Sequence, residues 1–346
     1  MTQFEKTNIK NIALHFVGNK NNEEMIKLSN SILNFDEATK GILTNYFITP
    51  FTKPQEYFNF HHDIELNMNE VFACASNIFD EPDTLLEQSV NLAKHLYEQS
   101  THPKIKGGEF YIVYFKDCII DGETVDAIGL FKSENKDTFL KVYPTGEGFE
   151  IESQQGVNIN KLDKGCLIFN TEKENGYVVS VIDNTNKGAE AQYWIDDFLH
   201  LRQRKDEYYN TQNILSLCKH FVKDELPQQF EVTKADQVDF LNKSVKFFKK
   251  NDNFNMEEFA NEVIAQPEII DSFNQYKSSY QKDYDIEFAD NFMISDSAVK
   301  KQARAFKSVI KLDKNFHIYV HGNRELIEQG EDERGKFYKV YYREES

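Results

Sequence analysis

Residues 109–132 read EFYIVYFKDCIIDGETVDAIGLFK, and the reading of this stretch decides the fold class. Two runs of aromatic and β-branched residues, 110–115 and 124–132, flank the dipeptide Asp121-Gly122. The tight turn that matches the twist of two paired strands needs positive φ at both central residues, which Asp and Gly tolerate. The stretch therefore predicts a β-hairpin. Runs 139–143, 166–169 and 177–182 repeat the pattern, punctuated by Gly146-Glu147-Gly148 and Asn175-Gly176. Hairpins in series pair antiparallel, so the first half of the chain should hold a largely antiparallel sheet.

Outward from this stretch the periodicity changes. Toward the N-terminus, residues 9–17 and 28–35 read as extended, and 36–47, 69–79 and 83–98 as helices. In the last of these Leu85, Leu86, Val90, Ala93, Leu96 and Tyr97 recur at helical spacing, with Pro82 just ahead, where a helix start tolerates it. Toward the C-terminus, 210–222 places Ile214, Leu217, Cys218 and Phe221 on one helical face. Thr233 followed by Asp236 resembles a capping box opening a helix through Phe248. Further helices are expected at 256–265, 267–280 and 295–306. Residues 308–312 and 316–320 alternate about Asp313-Lys314-Asn315, giving a hairpin, and 336–342 supplies a third strand after an acidic loop at 325–333. The expectation is an α+β protein. Residues 1–200 form an acidic domain of largely antiparallel sheet with packed helices, and 201–346 a helical domain ending in a small antiparallel sheet.

The composition is that of a packed protein: 40% hydrophobic, with 29 Phe and 17 Tyr against only 7 Pro among 346 residues. The longest apolar runs fall far short of the ~20 residues that span a bilayer, and the opening MTQFEKTNIK lacks the layout of a secretory signal. A cytoplasmic location is expected. Cys74, Cys118, Cys166 and Cys218 form no C-x-x-C pair, so neither a zinc knuckle nor a redox motif is read. No glycine cluster is followed by Lys-Ser/Thr, and there is no G-x-S-x-G or H-E-x-x-H. His61-His62-Asp63 is the one dense group of metal-ligand type, but adjacent strand histidines point to opposite faces. Asp117, Asp121, Glu123 and Lys132 could compose a nuclease-like set if the fold gathered them. The reading assigns no catalytic residue, metal or cofactor.

Charge is the more informative signal. The net charge is −17, and residues 1–200 hold 17 basic residues against 31 acidic ones, whereas 201–346 hold 23 against 26. An acidic whole repels phosphate, so any contact with nucleic acid needs a local basic patch beyond residue 200. Three clusters qualify. Arg202, Arg204 and Lys205 precede Tyr208 and Tyr209; Lys243, Lys246, Lys249 and Lys250 crowd one helix; and 297–324 carries Lys300, Lys301, Arg304, Lys307, Lys311, Lys314 and Arg324 against only Asp313. Period-two reading of the terminal hairpin sends Ile310, Leu312, Phe316, Ile318 and Val320 to a core. It sends Lys307, Lys311, His317, Tyr319 and His321 to the other side. Such a face can hold phosphate and stack bases; equally, lysines on an edge strand can serve only to block aggregation. The candidate nucleic-acid residues are Arg202, Arg204, Lys205, Lys300, Lys301, Arg304, Lys307, Lys311 and Lys314.

Three stretches carry a family resemblance. They are Ile9-Lys10-Asn11-Ile12-Ala13-Leu14-His15-Phe16; Gln192-Tyr193-Trp194-Ile195-Asp196-Asp197-Phe198-Leu199 followed by Arg202, Arg204 and Lys205; and Arg304-Ala305-Phe306-Lys307-Ser308 through Lys311-Leu312-Asp313-Lys314-Asn315-Phe316. In order, spacing and total length the chain resembles the bacterial nucleoid-associated 37-kDa protein family. The resemblance implies association with the nucleoid, by direct DNA binding or through a protein partner. It carries no active-site residues. The alternatives are a homodimer, a protein partner for the acidic half, and a cryptic metal-dependent nuclease.

Overall fold

The computed structural model describes residues 2–53, 56–185, 193–303, 306, 309–312, 315–320 and 324–344. The chain forms two compact units, Met1–Arg204 and Lys205–Ser346.

The first unit is built on strands β1 (Asn8–Val17), β2 (Ile26–Lys27), β3 (Tyr57–Phe60), β4 (Gly108–Ile120), β5 (Glu123–Ser133), β8 (Lys164–Phe169), β9 (Val178–Asp183) and β10 (Leu201–Gln203). They lie in the order β10-β3-β9-β8-β5-β4-β1-β2, and every neighbouring pair is antiparallel. Asp121 and Gly122 turn the β4–β5 hairpin with φ of 49° and 88°, the two positive values the sequence called for. Helices cover both faces of the sheet. Phe110, Ile112 and Tyr114 pack with α2 (Glu70–Asp80) and α3 (Leu85–Gln99). Tyr111, Val113 and Phe115 pack with Tyr46, Phe47 and Ile48 of α1 (Glu37–Ile48). Burial on both sides explains why 110–115 is apolar throughout rather than alternating.

Two expectations for this unit change. Residues 28–35 are not a strand, because β2 ends at Lys27. Ser29, Asn30, Ser31 and Asn34 favour local turns over a ladder, and only single bonds such as Leu33 N–H to the Ile12 carbonyl (2.8 Å) tie the segment down. The run 139–143 belongs to β6 (Asp137–Thr145), which pairs with an unforeseen strand, β7 (Gly148–Gly156). This two-stranded ribbon is not a member of the large sheet.

The second unit opens with α4 (Glu207–His220), which runs through a π-helical turn at Phe221–Glu225 into α5 (Leu226–Gln229). Then come α6 (Lys234–Lys250), β11 (Asn253–Asn255), α7 (Met256–Phe259), a second π-helical turn (Ala260–Ile264), α8 (Pro267–Asp283), β12 (Asn291–Met293) and α9 (Asp296–Ala303). The core is a cluster of rings: Phe259 lies 5.3 Å from Phe247 and 6.2 Å from Phe273, and Phe221 lies 5.1 Å from Phe273. The capping box forms as read. Thr233 N–H donates to the Asp236 carboxylate (2.9 Å), and Asp236 N–H donates to the Thr233 hydroxyl (3.2 Å).

Strands β13 (Val309–Leu312) and β14 (Phe316–Tyr319) make the expected hairpin. The segment expected as an acidic loop contains β15 (Ile327–Asp332), and it is β15 that pairs with β16 (Gly335–Val340). The described C-terminal strands are thus two hairpins, where a third strand had been expected on the first. Ile310, Val320 and Ile327 pack on Ala235 and Val238 of α6. Among the described residues no helix is long and apolar enough to cross a membrane.

Candidate nucleic-acid interface

The first basic cluster is held by acids distant in sequence. Arg202, on edge strand β10, reaches Asp63 at 3.4 Å; Arg204 reaches Glu172 at 2.8 Å; and Lys205 reaches Glu287 at 3.2 Å. A phosphate at any of these positions must compete with a carboxylate already in place. Arg202 and Lys205 are well exposed, so their pairs are screened and weak, whereas Arg204 is more enclosed.

The C-terminal cluster is less neutralised. Lys300 lies exposed in the last turn of α9, where the helix dipole also favours a cation. The Lys301 ammonium sits 5.6 Å from the centre of the Tyr208 ring. In the β13–β14 register Lys311 faces His317 and Val309 faces Tyr319, so these four share one side. Lys311, His317 and Tyr319 are exposed, while Ile310 on the other side is 2% exposed. Phe316 departs from its expected core role: it is 66% exposed, because it lies at the turn end of the hairpin, beyond the part seated on α6. Arg304, Lys307, Lys314 and His321 lie outside the described residues.

Arg324, counted among the basic excess, is committed to structure. Its guanidinium donates to the Asp236 carboxylate (2.7 Å) and to the Ile327 carbonyl, tying the capping box of α6 to β15. Burial alone would push the Asp236 carboxyl up, but donation from Thr233 and Arg324 outweighs it and leaves the carboxyl below its ordinary value. On α6, Lys243 pairs with Asp239 (2.8 Å) and Lys250 with Glu262 (3.3 Å). Lys246 and Lys249 are exposed and make no ion pair among the described residues, and the same holds for Lys300 and Lys311. Helical spacing puts Lys246 and Lys249 on the stripe that starts with Val238 and Asn242. Asn242 bonds the Val320 carbonyl at 3.2 Å, so the stripe continues past the end of the hairpin.

The other candidate chemistry is not assembled. Asp117 sits at a bulge in β4 with φ 59°, Asp121 in the turn and Glu123 just after it. Lys132 lies nine residues further along β5, roughly 30 Å away, so the nuclease-like set does not converge. The His61 ring meets Asp63 at 3.1 Å, and His62 Nδ1 accepts the Ile64 N–H at 3.3 Å. No group of three or more metal-ligand side chains occurs among the described residues. The four cysteines are buried, and burial pushes Cys74 and Cys118 up to about 11 and Cys218 up to about 12.

Sequence reasoning missed a buried ionic network at the far end of β5. Lys132 and Lys164 are cross-strand partners, both fully buried. Lys132 pairs with Glu134 (3.2 Å) and Lys164 with Asp183 (2.6 Å). The Tyr193 ring lies 5.7 Å from one ammonium and 5.1 Å from the other, and its hydroxyl donates to Glu134 (2.9 Å). Burial lowers the Lys132 pKa despite Glu134, and burial beside Glu134 raises that of Tyr193 well above its ordinary value. Each cation has its anion, so the network closes on itself and fixes the sheet end. Glu134 lies in the same run as Lys132, but Lys164, Asp183 and Tyr193, which complete the network, come from elsewhere in the chain and give no local signal.

No curated protein matches the chain. The model of a family described as nucleoid-associated protein YejK matches residues 13–336, a span that takes in most of the antiparallel sheet, the helical core and the first C-terminal hairpin. With nearly the whole chain accounted for, the expected family is borne out, and the chain belongs to the family of nucleoid-associated protein YejK.

Proposed function

We propose that this nucleoid-associated protein binds DNA directly and non-catalytically through its basic C-terminal segment. Lys300, Lys301 and Lys311 hold phosphate, and His317 and Tyr319 offer flat surfaces beside them. The observation that carries the reading is the β13–β14 register, which gives Lys311, His317 and Tyr319 one exposed side while Ile310 is buried on the other. Membership of a nucleoid-associated family supports it. Arg304, Lys307 and Lys314 enter by their place in the same basic stretch, and Lys246 and Lys249 by their exposure on α6. Arg202, Arg204 and Lys205 contribute less, since each already meets a carboxylate.

DNA affinity measured against salt tests this. Each phosphate contact contributes about 0.9 to the slope of log K against log salt. A Lys300→Gln/Lys301→Gln/Lys311→Gln variant should therefore lose between two and three units of slope, and Arg202→Gln/Arg204→Gln should lose less. Equal slopes for the triple variant and wild type would sink the assignment. A second reading, recruitment by a basic protein partner, draws on the 31 acidic residues in the first 200. Capture on nucleoid fractions that survives complete DNA digestion would favour it.

A further inference from the structure

The β6–β7 ribbon has no part in the proposed DNA contact and none in either core. Its two strands, nine residues each, are exposed almost throughout on both faces. Cross-strand pairs share a face in an antiparallel ribbon, so the register sorts the side chains. Leu140, Val142 and Pro144 lie with Phe149 and Ile151 on one face, whose other members, Thr138, Ser153 and Gln155, are also uncharged. The charges Asp137, Lys141, Glu150 and Glu152 fall on the opposite face. On the uncharged face Leu140 is 66% exposed, Val142 56%, Phe149 76% and Ile151 66%. An isolated two-stranded hairpin with an open apolar face is marginal in water, and contiguous exposed apolar area of this kind marks an interaction surface.

We propose that this face is the seat of a second copy of the chain, two ribbons packing apolar face to apolar face about a two-fold axis. Charge selects the occupant. DNA is disfavoured, because the ribbon and its turn carry Asp137, Glu147, Glu150 and Glu152 against Lys141 alone. A basic protein would choose the opposite, acidic face. Two copies of a −17 chain repel unless they meet where neither presents charge, and this face carries none over its whole length. The area also suffices. Four large side chains more than half exposed amount to roughly 500 Å² per copy, so a two-fold contact buries about 1,000 Å², the lower bound for a specific interface. An isologous contact needs only this one self-complementary patch.

The test is the mass of the full chain in solution over about 1–100 μM, with hydrogen exchange on the ribbon amides; this range brackets ordinary homodimer affinities. The expected result is a species near twice 40.5 kDa, with ribbon amides protected in proportion to dimer. Val142→Glu and Ile151→Glu should each weaken association at least 100-fold with unchanged circular dichroism, because both positions are solvent-facing in the monomer. Glu150→Lys, on the other face, should leave association intact. A monomer at every concentration overturns the proposal, as does a dimer indifferent to Val142→Glu and Ile151→Glu. Ribbon amides protected in a monomer would assign the face to this chain's own C-terminal unit. Loss of DNA affinity in the glutamate variants at unchanged mass would assign it to DNA. Either result overturns the proposal too.

Discussion

His15 shows how much one side chain can do without any catalytic role. It is 2% exposed and lies between two elements. Its Nδ1 accepts the Ser29 N–H at 3.0 Å, which leaves the proton on Nε2 to be donated to the Ser89 hydroxyl at 2.8 Å. Ser89 in turn donates to the Leu86 carbonyl at 2.7 Å. The ring therefore links β1, the irregular segment after β2, and α3. Burial lowers its pKa below 6.5. The unfolded chain then takes up a proton near 6.5 while the fold resists it. The stabilisation is full above that pH and is lost as pH falls through the lowered native value. Urea melts across the range from neutral to about pH 5 should show falling stability in wild type, and a flatter dependence in His15→Gln. At neutral pH that variant should lose about 1–3 kcal/mol, because the Ser29 N–H and the Ser89 hydroxyl lose a well-placed partner. A pH profile identical to wild type would show that His15 is not the titrating group. The sequence placed His15 in a family-like stretch but could not show this role, since Ser29 and Ser89 lie 14 and 74 residues away.

At the scale of elements, what was legible is what local chemistry determines. Asp121-Gly122 gave its turn, and Thr233 with Asp236 gave the start of α6, because each signal is complete within four residues. Strand β15 was hidden by composition: IEQGED looks like a loop until Glu328 is set opposite Lys339 and Glu331 opposite Lys336 on β16. The candidate site divides in the same way. Alternation on β13 and β14 correctly predicted the exposure of Lys311, His317 and Tyr319, whereas the partners of Arg202, Arg204, Lys205 and Arg324 come from acids 32 to 139 residues away. Counting charges in a window cannot see them. Asp236 offers a test at this scale, since its carboxylate closes the capping box of α6 and also anchors Arg324 beside β15. Replacement by Ala should cost about 0.5–1.5 kcal/mol, most of it the lost acceptor for the Thr233 N–H, the partly exposed ion pair adding little. Hydrogen exchange should accelerate in the first turn of α6 and at Ile327 together. Acceleration in α6 alone would mean that Arg324 holds β15 without Asp236. Because the native Asp236 carboxyl is held below 3.8, its contribution is full above that pH and disappears as pH falls through the native value.

For the whole molecule the governing facts are two cores and an uneven charge. The first unit encloses the two helix-covered faces of its sheet, and the second its cluster of phenylalanines and the small core under the hairpins. At physiological ionic strength fields decay over about 8 Å, so the phosphate contacts proposed for Lys300 and Lys311 depend on the charge beside each one more than on the −17 of the chain. If each unit is also its own cooperative block, stability and DNA binding can be separated by one substitution in the second core. Phe259 is fully buried, with ring neighbours Phe247, Phe254 and Phe248 at 5.3, 5.5 and 6.0 Å. Phe259→Ala should cost about 3–5 kcal/mol and move one of two thermal transitions down, leaving the transition that carries the sheet signal in place. Between the two midpoints the sheet would remain folded, and salt-sensitive DNA binding should already be gone, since the residues proposed to hold phosphate melt with the phenylalanine core. A single transition that shifts as a whole would show one cooperative block. DNA binding that outlasts the lower transition would move the phosphate contacts out of the second unit.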